Sequence, residues 1–468
     1  MAGYDPGSFR DPESRVFTTS GCIYRGLSES ALDDWTALAE TKFFHEAVAD
    51  GKIVSSTRIP PEDLQPTLTD HVEQWSAILQ HETIPFISYP YEWCFGMLKD
   101  AALLQLDLLL SALGEGLILK DSSAFNFQWI GARPVLIDVG SFRRLEPGEP
   151  WEGYRQFCQM FLYPLQLQAY KGVAFQPWLR GNIDGISPEE MNRLMTKRDL
   201  FRPGVVLHVY AQARLQQRFG STDRAVRDDL SKSGFDAKMI QANVSRMQKL
   251  VQKLEWNPKQ SEWSEYQRDQ SYSQEDFQTK ERFVRDVLEQ RERHLVWDLG
   301  CNTGHYSELA AEYSDYVVAM DADQLAIERL YARLKHMQNP KILPLVMNLA
   351  QPSGDLGWAG VERKRLDRRG TPDLTLCLAL VHHLALGATI PLREIIRYLA
   401  TFSQEVVIEF PTREDPMVKK LLLHKSQKHE QYNLQEFERC LEESFSILGT
   451  APPLTSGTRT LYHARGRH

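Results

Sequence analysis

The residues best placed for chemistry lie in the later half of the 468-residue chain. In His294-Leu-Val-Trp-Asp298-Leu-Gly300-Cys-Asn302-Thr-Gly304-His-Tyr-Ser307, an apolar run ends in an acid, and a glycine turn leads into a helical pattern. Glycines at 300 and 304 let backbone approach a ligand where a side chain would clash. The D-x-G-x-x-x-G spacing lacks the glycine that admits a pyrophosphate in G-x-G-x-x-G sites, so NAD is disfavoured. A second apolar run, Tyr316-Val-Val-Ala-Met-Asp321, ends in a carboxylate 21 positions after Gly300. An acid there can accept hydrogen bonds from both hydroxyls of a ribose; the alternative is a helix cap, because Asp321-Ala-Asp323 precedes a helical pattern. A third run ends at Met347-Asn348-Leu349, where Asn348 could read an adenine edge, and a fourth, from Asp373, ends in Leu380-Val-His382-His383. Polar groups at four consecutive strand ends point to a nucleoside site.

The elements that would carry them are short apolar runs at Leu295–Leu299, Tyr316–Met320, Ile342–Met347, Asp373–Leu380 and Glu405–Phe410. Helical patterns intervene at Tyr306–Tyr313, Gln324–Met337 and Leu392–Phe402. Buried strands alternating with amphipathic helices make β-α-β units on a parallel sheet covered on both faces. The expectation is a doubly wound α/β domain over 281–468. Before it, Asn257–Lys280 is rich in Gln, Ser, Glu and Asp and nearly bare of aliphatic residues, so 221–280 reads as a helical linker and cap.

Acidic residues outnumber Lys and Arg, giving a net charge of −8, which argues against a protein built to coat nucleic acid. The six cysteines are far apart with no C-x-x-C pair, so neither a disulfide framework nor a clustered zinc site is expected, and a cytoplasmic location fits. Ala101–Leu119 is the most apolar stretch, but Gln105, Asp107 and Glu115 interrupt it, so it reads as a buried or amphipathic helix of a soluble protein.

DLGCNTG, VVAMD and LALVHHL together resemble class I S-adenosylmethionine-dependent methyltransferases, over roughly residues 263–467. The resemblance implies a Rossmann-like sheet with S-adenosylmethionine as cofactor. Asp298, Gly300, Asn302 and Gly304 would form the loop facing the methionine and ribose. Asp321 would hold the ribose, Asn348 and Leu349 would border the adenine, and Leu380 would lie beneath the cofactor. Trp263…Tyr266…Tyr272…Lys280, ALVHHL, IEFPTREDPMVKKLL and GTRTLY resemble a narrower, nodulation-type branch. There an aromatic segment closes over the cofactor, which makes Tyr266, Tyr272 and Lys280 lid candidates; packing of a cap helix is the other reading of the tyrosines.

Methyl transfer needs an aligned nucleophile and a destination for its proton. His382 or His383 could serve as general base, with His382 preferred because His383 can already enter the next helix; the other reading is two structural histidines at a helix start. Glu409 would face the same crevice and orient a histidine or bind an amine or hydroxyl. Asp415 and Lys419 read as a solvated charged face, as does the basic loop Arg363–Arg369.

The first half carries Asp121-Ser-Ser-Ala-Phe-Asn126 and, twelve positions later, Asp138-Val-Gly140. The pair resembles the catalytic loop and metal-binding turn of protein-kinase-like phosphotransferases, in which Asp121 would accept a proton while Asn126 and Asp138 held magnesium. Lys120 replaces the usual Arg, and neither a Gly-rich loop nor a strand Lys with a helical Glu can be assigned. The expectation is a kinase-like α+β domain over 1–220 used for substrate recognition; two strand-flanking turns are the plainer alternative. The chain thus reads as an S-adenosylmethionine-dependent methyltransferase acting on a small molecule or carrier-bound metabolite. No resident metal, nucleic-acid partner or membrane partner is expected. The rivals are a kinase-like phosphotransferase or pseudokinase with an accessory nucleoside domain, a cofactor sensor, and a protein or RNA methyltransferase. Acceptor atom and oligomeric state stay open.

Overall fold

In the computed structural model, residues 3–19, 21–60, 74–214, 236–258, 273–423 and 430–467 are described. The chain divides into two compact units. The first comprises Met1–Trp129, Pro134–Asn257 and Gly357–Arg363; the second comprises Ile130–Arg133, Pro258–Leu356 and Lys364–His468.

The first unit is α+β. Strands β1 (Gly3–Tyr4), β2 (Ser14–Thr19), β3 (Cys22–Leu27), β4 (Ser56–Arg58) and β5 (Ala77–His81) form an antiparallel sheet in the order β1-β2-β3-β5-β4. The β2–β3 turn passes through Gly21 at φ +79°, the left-handed backbone a tight hairpin needs. Phe17 and Tyr24 stack at 5.7 Å on the buried face of these strands and meet Ile78. The helix Phe95–Gly114 carries much of the unit's core, its Met97, Leu98, Ala101, Leu106 and Leu109 being fully buried. The apolar stretch read as one helix is therefore two elements. The helix stops at Gly114, Gly116 turns at φ +78°, and Leu117–Leu119 is strand β6. Three more short strands follow: β7 (Phe127–Ile130), β8 (Arg133–Leu136) and β9 (Phe142–Arg144); β6 pairs with β9 and β7 with β8. The helix Ala237–Gln252 buries Ile240, Val244, Met247 and Val251 and belongs to this unit, whose segment ends at Asn257. Glu362 also belongs here: its carboxylate accepts from Arg10 at 2.9 and 2.7 Å.

The second unit is a seven-stranded sheet of β10 (Arg293–Leu299), β11 (Ser314–Asp321), β12 (Ile342–Val346), β13 (Leu374–Cys377), β14 (Glu405–Pro411), β15 (Phe445–Thr450) and β16 (Arg459–Gly466). Their order is β12-β11-β10-β13-β14-β16-β15, parallel from β12 to β14, with β16 antiparallel to both neighbours. The doubly wound parallel sheet expected from the apolar runs is present, and a closing antiparallel pair extends it. Strand order reverses at β10, which lies between β11 and β13; an open α/β sheet offers a ligand crevice beyond the carboxyl end of such a strand. No helix among the described residues is long and apolar enough to cross a membrane.

Candidate functional site

The loop after β10 is shaped by three left-handed residues, Gly300 (φ +79°), Asn302 (φ +51°) and Gly304 (φ +85°). Gly300 N–H and Cys301 N–H both donate to the Met320 carbonyl, at 2.8 and 3.0 Å, which ties the turn to the end of β11. Gly304 caps the helix His305–Glu312, and a Cβ there would stand 2.6 Å from Leu330 Cδ1. The left-handed φ strains any side chain there, and Leu330 would have to move to admit one. At Gly300 the nearest atoms to such a Cβ lie on Leu380 at 3.5 Å, so backbone conformation alone selects glycine.

Asp321 is half-buried at the tip of β11. Its Oδ2 accepts from Asn302 N–H and its Oδ1 from Asp323 N–H, both at 2.8 Å. Burial pushes its pKa up. The cap of the helix Gln324–His336 is Asp323, which accepts from Leu325 N–H at 2.8 Å and Ala326 N–H at 3.3 Å. The two readings of the Asp321-Ala-Asp323 pair thus separate: one acid caps, and the other keeps acceptor capacity at the rim. Asp298 faces inward. It is 2% exposed and accepts from Ser307 Oγ at 2.6 Å, and burial pushes its pKa up to about 7.

Asn348 is exposed, with its Oδ1 accepting from Ala350 N–H at 3.0 Å. Beside it, Leu299, Leu349, Pro352, Leu380, Leu384 and Tyr398 line an apolar cleft of about 200 Å³. Leu349 and Leu380 therefore share one cleft with the end of β10. Tyr266 and Tyr272 lie outside the described residues.

Glu409 and Lys280 differ from their expected places. Glu409 is fully buried and does not stand open on the crevice. Its Oε2 accepts from Lys280 Nζ at 2.7 Å and Ala379 N–H at 2.8 Å, and its Oε1 from Arg459 Nη1 at 3.3 Å. Lys280, on the helix Gln274–Glu289, is 4% exposed and anchors that helix; its Nζ also lies 5.1 Å over the Tyr306 ring. Burial lowers the Lys280 pKa, and Glu409 opposes that shift. Arg459 continues the network to Asp415, with Nε 2.6 Å and Nη2 3.2 Å from its two oxygens. Asp415 is fully buried and caps the helix Pro416–Leu422 through Met417 N–H at 2.9 Å, so it is not part of a solvated face; Lys419 is exposed, as read. Two buried cations thus face two buried acids, which is the condition under which such charges are tolerated.

Ala379, at φ +52°, turns the chain above this network. His382 is fully buried, and neither ring nitrogen has a hydrogen-bond partner; burial pushes its pKa well below the ordinary range, and His383 and Arg459 add to that. His383 is half-buried and 4.1 Å away ring to ring, with a pKa lowered by burial to about 4. Of the adjacent pair, His383 has the solvent access expected of His382. Both imidazoles are neutral at pH 7.

In the first unit, Asp121, Asn126 and Asp138 do come together. Asn126 Nδ2 donates to Asp121 Oδ2 at 3.0 Å and to Ser141 Oγ at 3.2 Å, and Ser141 Oγ donates to Asp138 Oδ2 at 2.7 Å. Sequence reasoning missed Arg25. From β3 its Nη1 reaches Asp138 Oδ1 at 2.9 Å and Ser14 Oγ at 3.0 Å. Burial pushes Asp138 up, but Arg25 and Ser141 outweigh it and hold the carboxyl low. Asp121 is raised, first by burial and then by the charge of Asp138. The one available signal was a cation inside the otherwise uncharged strand Cys22-Ile-Tyr-Arg25-Gly-Leu. Both oxygens of Asp138 are engaged by protein groups, whereas the kinase-like resemblance would give them to magnesium. Lys42 and Glu46 form an exposed pair on their own helix.

Fold and rim together define an α/β protein whose candidate ligand site sits where a doubly wound sheet reverses its strand order. No family model matches the chain. It is 30% identical over 460 residues to nodulation protein NoeA of Rhizobium meliloti (strain 1021), across 97% of this chain and 94% of that protein. The chain belongs to the NoeA family. Among solved structures it is similar to the N-methyltransferase NodS from Bradyrhizobium japonicum WM9 in complex with S-adenosyl-L-homocysteine. That match has 12% identity and a TM-score of 0.32, covering 44% of this chain and 98% of NodS. The bifunctional kinase-methyltransferase WbdD matches with 16% identity and a TM-score of 0.32, over 44% of this chain and 42% of that one. Magnesium protoporphyrin IX methyltransferase from Synechocystis PCC 6803 matches with 16% identity and a TM-score of 0.30, over 45% and 90%.

Proposed function

We propose that the second unit binds S-adenosylmethionine across the carboxyl rim of β10, β11 and β13 and methylates a small molecule or carrier-bound metabolite. The observation that carries this reading is Asp321. Its carboxylate stands at the end of β11, is oriented by the amides of Asn302 and Asp323, and has acceptor sites left for a pair of hydroxyls. The residues present fit the rest of the nucleoside. Gly300–Gly304 supplies bare backbone, the Leu299–Leu349–Leu380 cleft an apolar bed, and Asn348 an amide at its edge. When bound, the cofactor would supply an electrophilic methyl group on a sulfonium centre.

The chain's own part is to bind, orient and exclude water. The buried Lys280–Glu409–Arg459 network fixes the Ala379–His383 turn through the Ala379 N–H, and so sets where the histidines stand. His383 is the better candidate to accept a proton from the acceptor group, being neutral and half-buried. The first unit, with Asp138 already held by Arg25 and Ser141, serves substrate recognition.

Titration calorimetry with S-adenosylmethionine tests the assignment. Asp321→Ala should weaken binding by about tenfold or more, since it deletes charged acceptors of hydrogen bonds; unchanged affinity would refute the ribose role. Labelled cofactor incubated with a size-fractionated lysate then separates a metabolite acceptor from a macromolecular one. The gathering of Asp121, Asn126 and Asp138 is what supports phosphotransfer as the second reading, and Arg25, which holds Asp138, counts against it. That reading requires ATP with magnesium to raise the melting temperature in a manner dependent on Asp138.

A further inference from the structure

Phe201, in the first unit, is 92% exposed, the most exposed of the large apolar side chains among the described residues. It ends the 3-10 turn Lys197–Phe201, and the chain then reverses through Pro203 and Gly204 into the π-helical segment Val205–Tyr210. Gly204, at φ +80°, presses against Leu250 and Gln166, so that a Cβ would lie 2.4 Å from Leu250 Cδ2. The inner side of the knuckle is therefore packed. On its outer side Val206 and Leu207 are 53% and 63% exposed, next to Phe201 and to Leu200 at 36%.

Cations ring this apolar crown. Lys197, Arg198, Arg202 and Arg214 are all exposed; Arg202 lies 4.9 Å over the Tyr170 ring and Arg214 4.5 Å over Tyr210. The acid within the turn, Asp199, points inward at 4% exposure. It is engaged by Lys171 Nζ at 2.8 Å and by Thr196 N–H and Oγ1 at 2.7 Å each, with Arg202 at 3.3 Å. Nearby on the helix Pro188–Leu194, Glu190 is turned back to cap Ser187 N–H at 2.9 Å, and Glu189 is half-buried. Beside the crown, Tyr170, Lys171, Thr196, Lys197, Arg198, Asp199 and Arg202 line an open cleft of about 560 Å³, four cations to one acid. Among the described residues the local sign is thus opposite to the net charge of −8 of the whole chain.

Apolar side chains at a tip, with Lys and Arg at their base, match the two layers of a bilayer surface: acyl chains beneath anionic phosphates. A second copy of the chain suits the patch poorly, because a two-fold contact would set these cations against themselves. We propose that the Lys197–Leu207 knuckle is a peripheral docking surface for an anionic phospholipid bilayer. Phe201, Val206 and Leu207 enter the interface, and Lys197, Arg198 and Arg202 meet the headgroup phosphates. Such a contact needs no spanning helix, so it departs from the expectation of no membrane partner without contradicting the hydropathy behind that expectation.

Flotation of the full chain with vesicles tests it, using phosphatidylcholine alone against phosphatidylcholine mixed with phosphatidylglycerol, at low and high salt. The wild type should float with the mixed vesicles only, and less at high salt. Phe201→Ser and the double variant Lys197→Glu/Arg198→Glu should each lower the bound fraction by about tenfold or more. Both should keep the wild-type melting temperature, because these side chains are exposed. Flotation with neither vesicle, equal flotation with both, or undiminished flotation of both variants overturns the proposal. A solution dimer that Phe201→Ser dissolves also overturns it, since a second copy would then own the patch. Binding to inorganic phosphate or to a nucleic acid without vesicle flotation does the same.

Discussion

Replacing Lys280 with Met probes the buried network directly. The substitution keeps most of the side-chain volume and removes the charge that stands 2.7 Å from Glu409 Oε2. Removing one partner of a buried ion pair costs about 3–5 kcal/mol, because the other charge stays behind without compensation. Here Glu409 retains Arg459 at 3.3 Å and the Ala379 N–H at 2.8 Å, which places the cost at the lower end, about 3 kcal/mol. Glu409→Gln should cost more, about 4–5 kcal/mol, because Lys280 loses its carboxylate while Arg459 still has Asp415. The double variant Lys280→Met/Glu409→Gln removes both charges together, and its cost should fall well below the sum of the two. The interaction energy should be about 3 kcal/mol in magnitude. Urea denaturation followed by tryptophan emission reads this out, since Trp297 lies fully buried in the second unit. Single variants that each cost less than about 1 kcal/mol, or a double variant that simply adds them, would refute the claim that the two side chains form one buried unit.

Two further outcomes follow from particular residues. Gly304→Ala would place a Cβ 2.6 Å from Leu330 at φ +85°, and should destabilise the second unit by about 2–3 kcal/mol while weakening S-adenosylmethionine binding; thermal denaturation and calorimetry measure the two effects. Glu405 is ringed by Arg293 at 2.8 Å, Arg465 at 2.9 Å and His463 at 3.1 Å. Burial pushes its pKa up, but these partners hold it well below its ordinary value of 4.5. Its stabilising contribution is complete above that value and is lost as pH falls through and below it. Urea midpoints measured from pH 7 down to pH 3 should therefore fall less steeply in Glu405→Gln than in the wild type.

How much of this was legible in the sequence depends on the distance between partners. Strands β10 to β14 were readable to within a few residues, because strands buried on both faces are continuous apolar runs. β16 was not, since Arg459-Thr-Leu-Tyr-His-Ala-Arg465 mixes charge with apolar residues and its charges find partners only across the sheet. Composition also failed at Gly114–Gly116, where a mainly apolar stretch read as one helix changes from helix to strand. The rim was legible because glycines and terminal acids are local signals. The burial of Glu409 and Asp415 was not, because the guanidinium that makes it tolerable belongs to Arg459, 50 and 44 positions further along. The same holds for Arg25 and Asp138, which only the folded sheet brings into contact. Asp321 had two readings in the sequence, rim acid or helix cap, and backbone geometry gives the cap to Asp323 two residues on.

The membership of Gly357–Arg363 in the first unit and of Ile130–Arg133 in the second has a practical corollary for dissecting the protein. A single cut after Asn257 yields two fragments, neither of which is a whole body. The leading fragment would leave Arg10 without the carboxylate of Glu362, and the trailing one would leave the Tyr316 hydroxyl without the Gly131 amide that donates to it at 3.0 Å. Faithful halves require grafting each short crossing segment back by a designed linker, and a gene fission at that site samples damaged proteins.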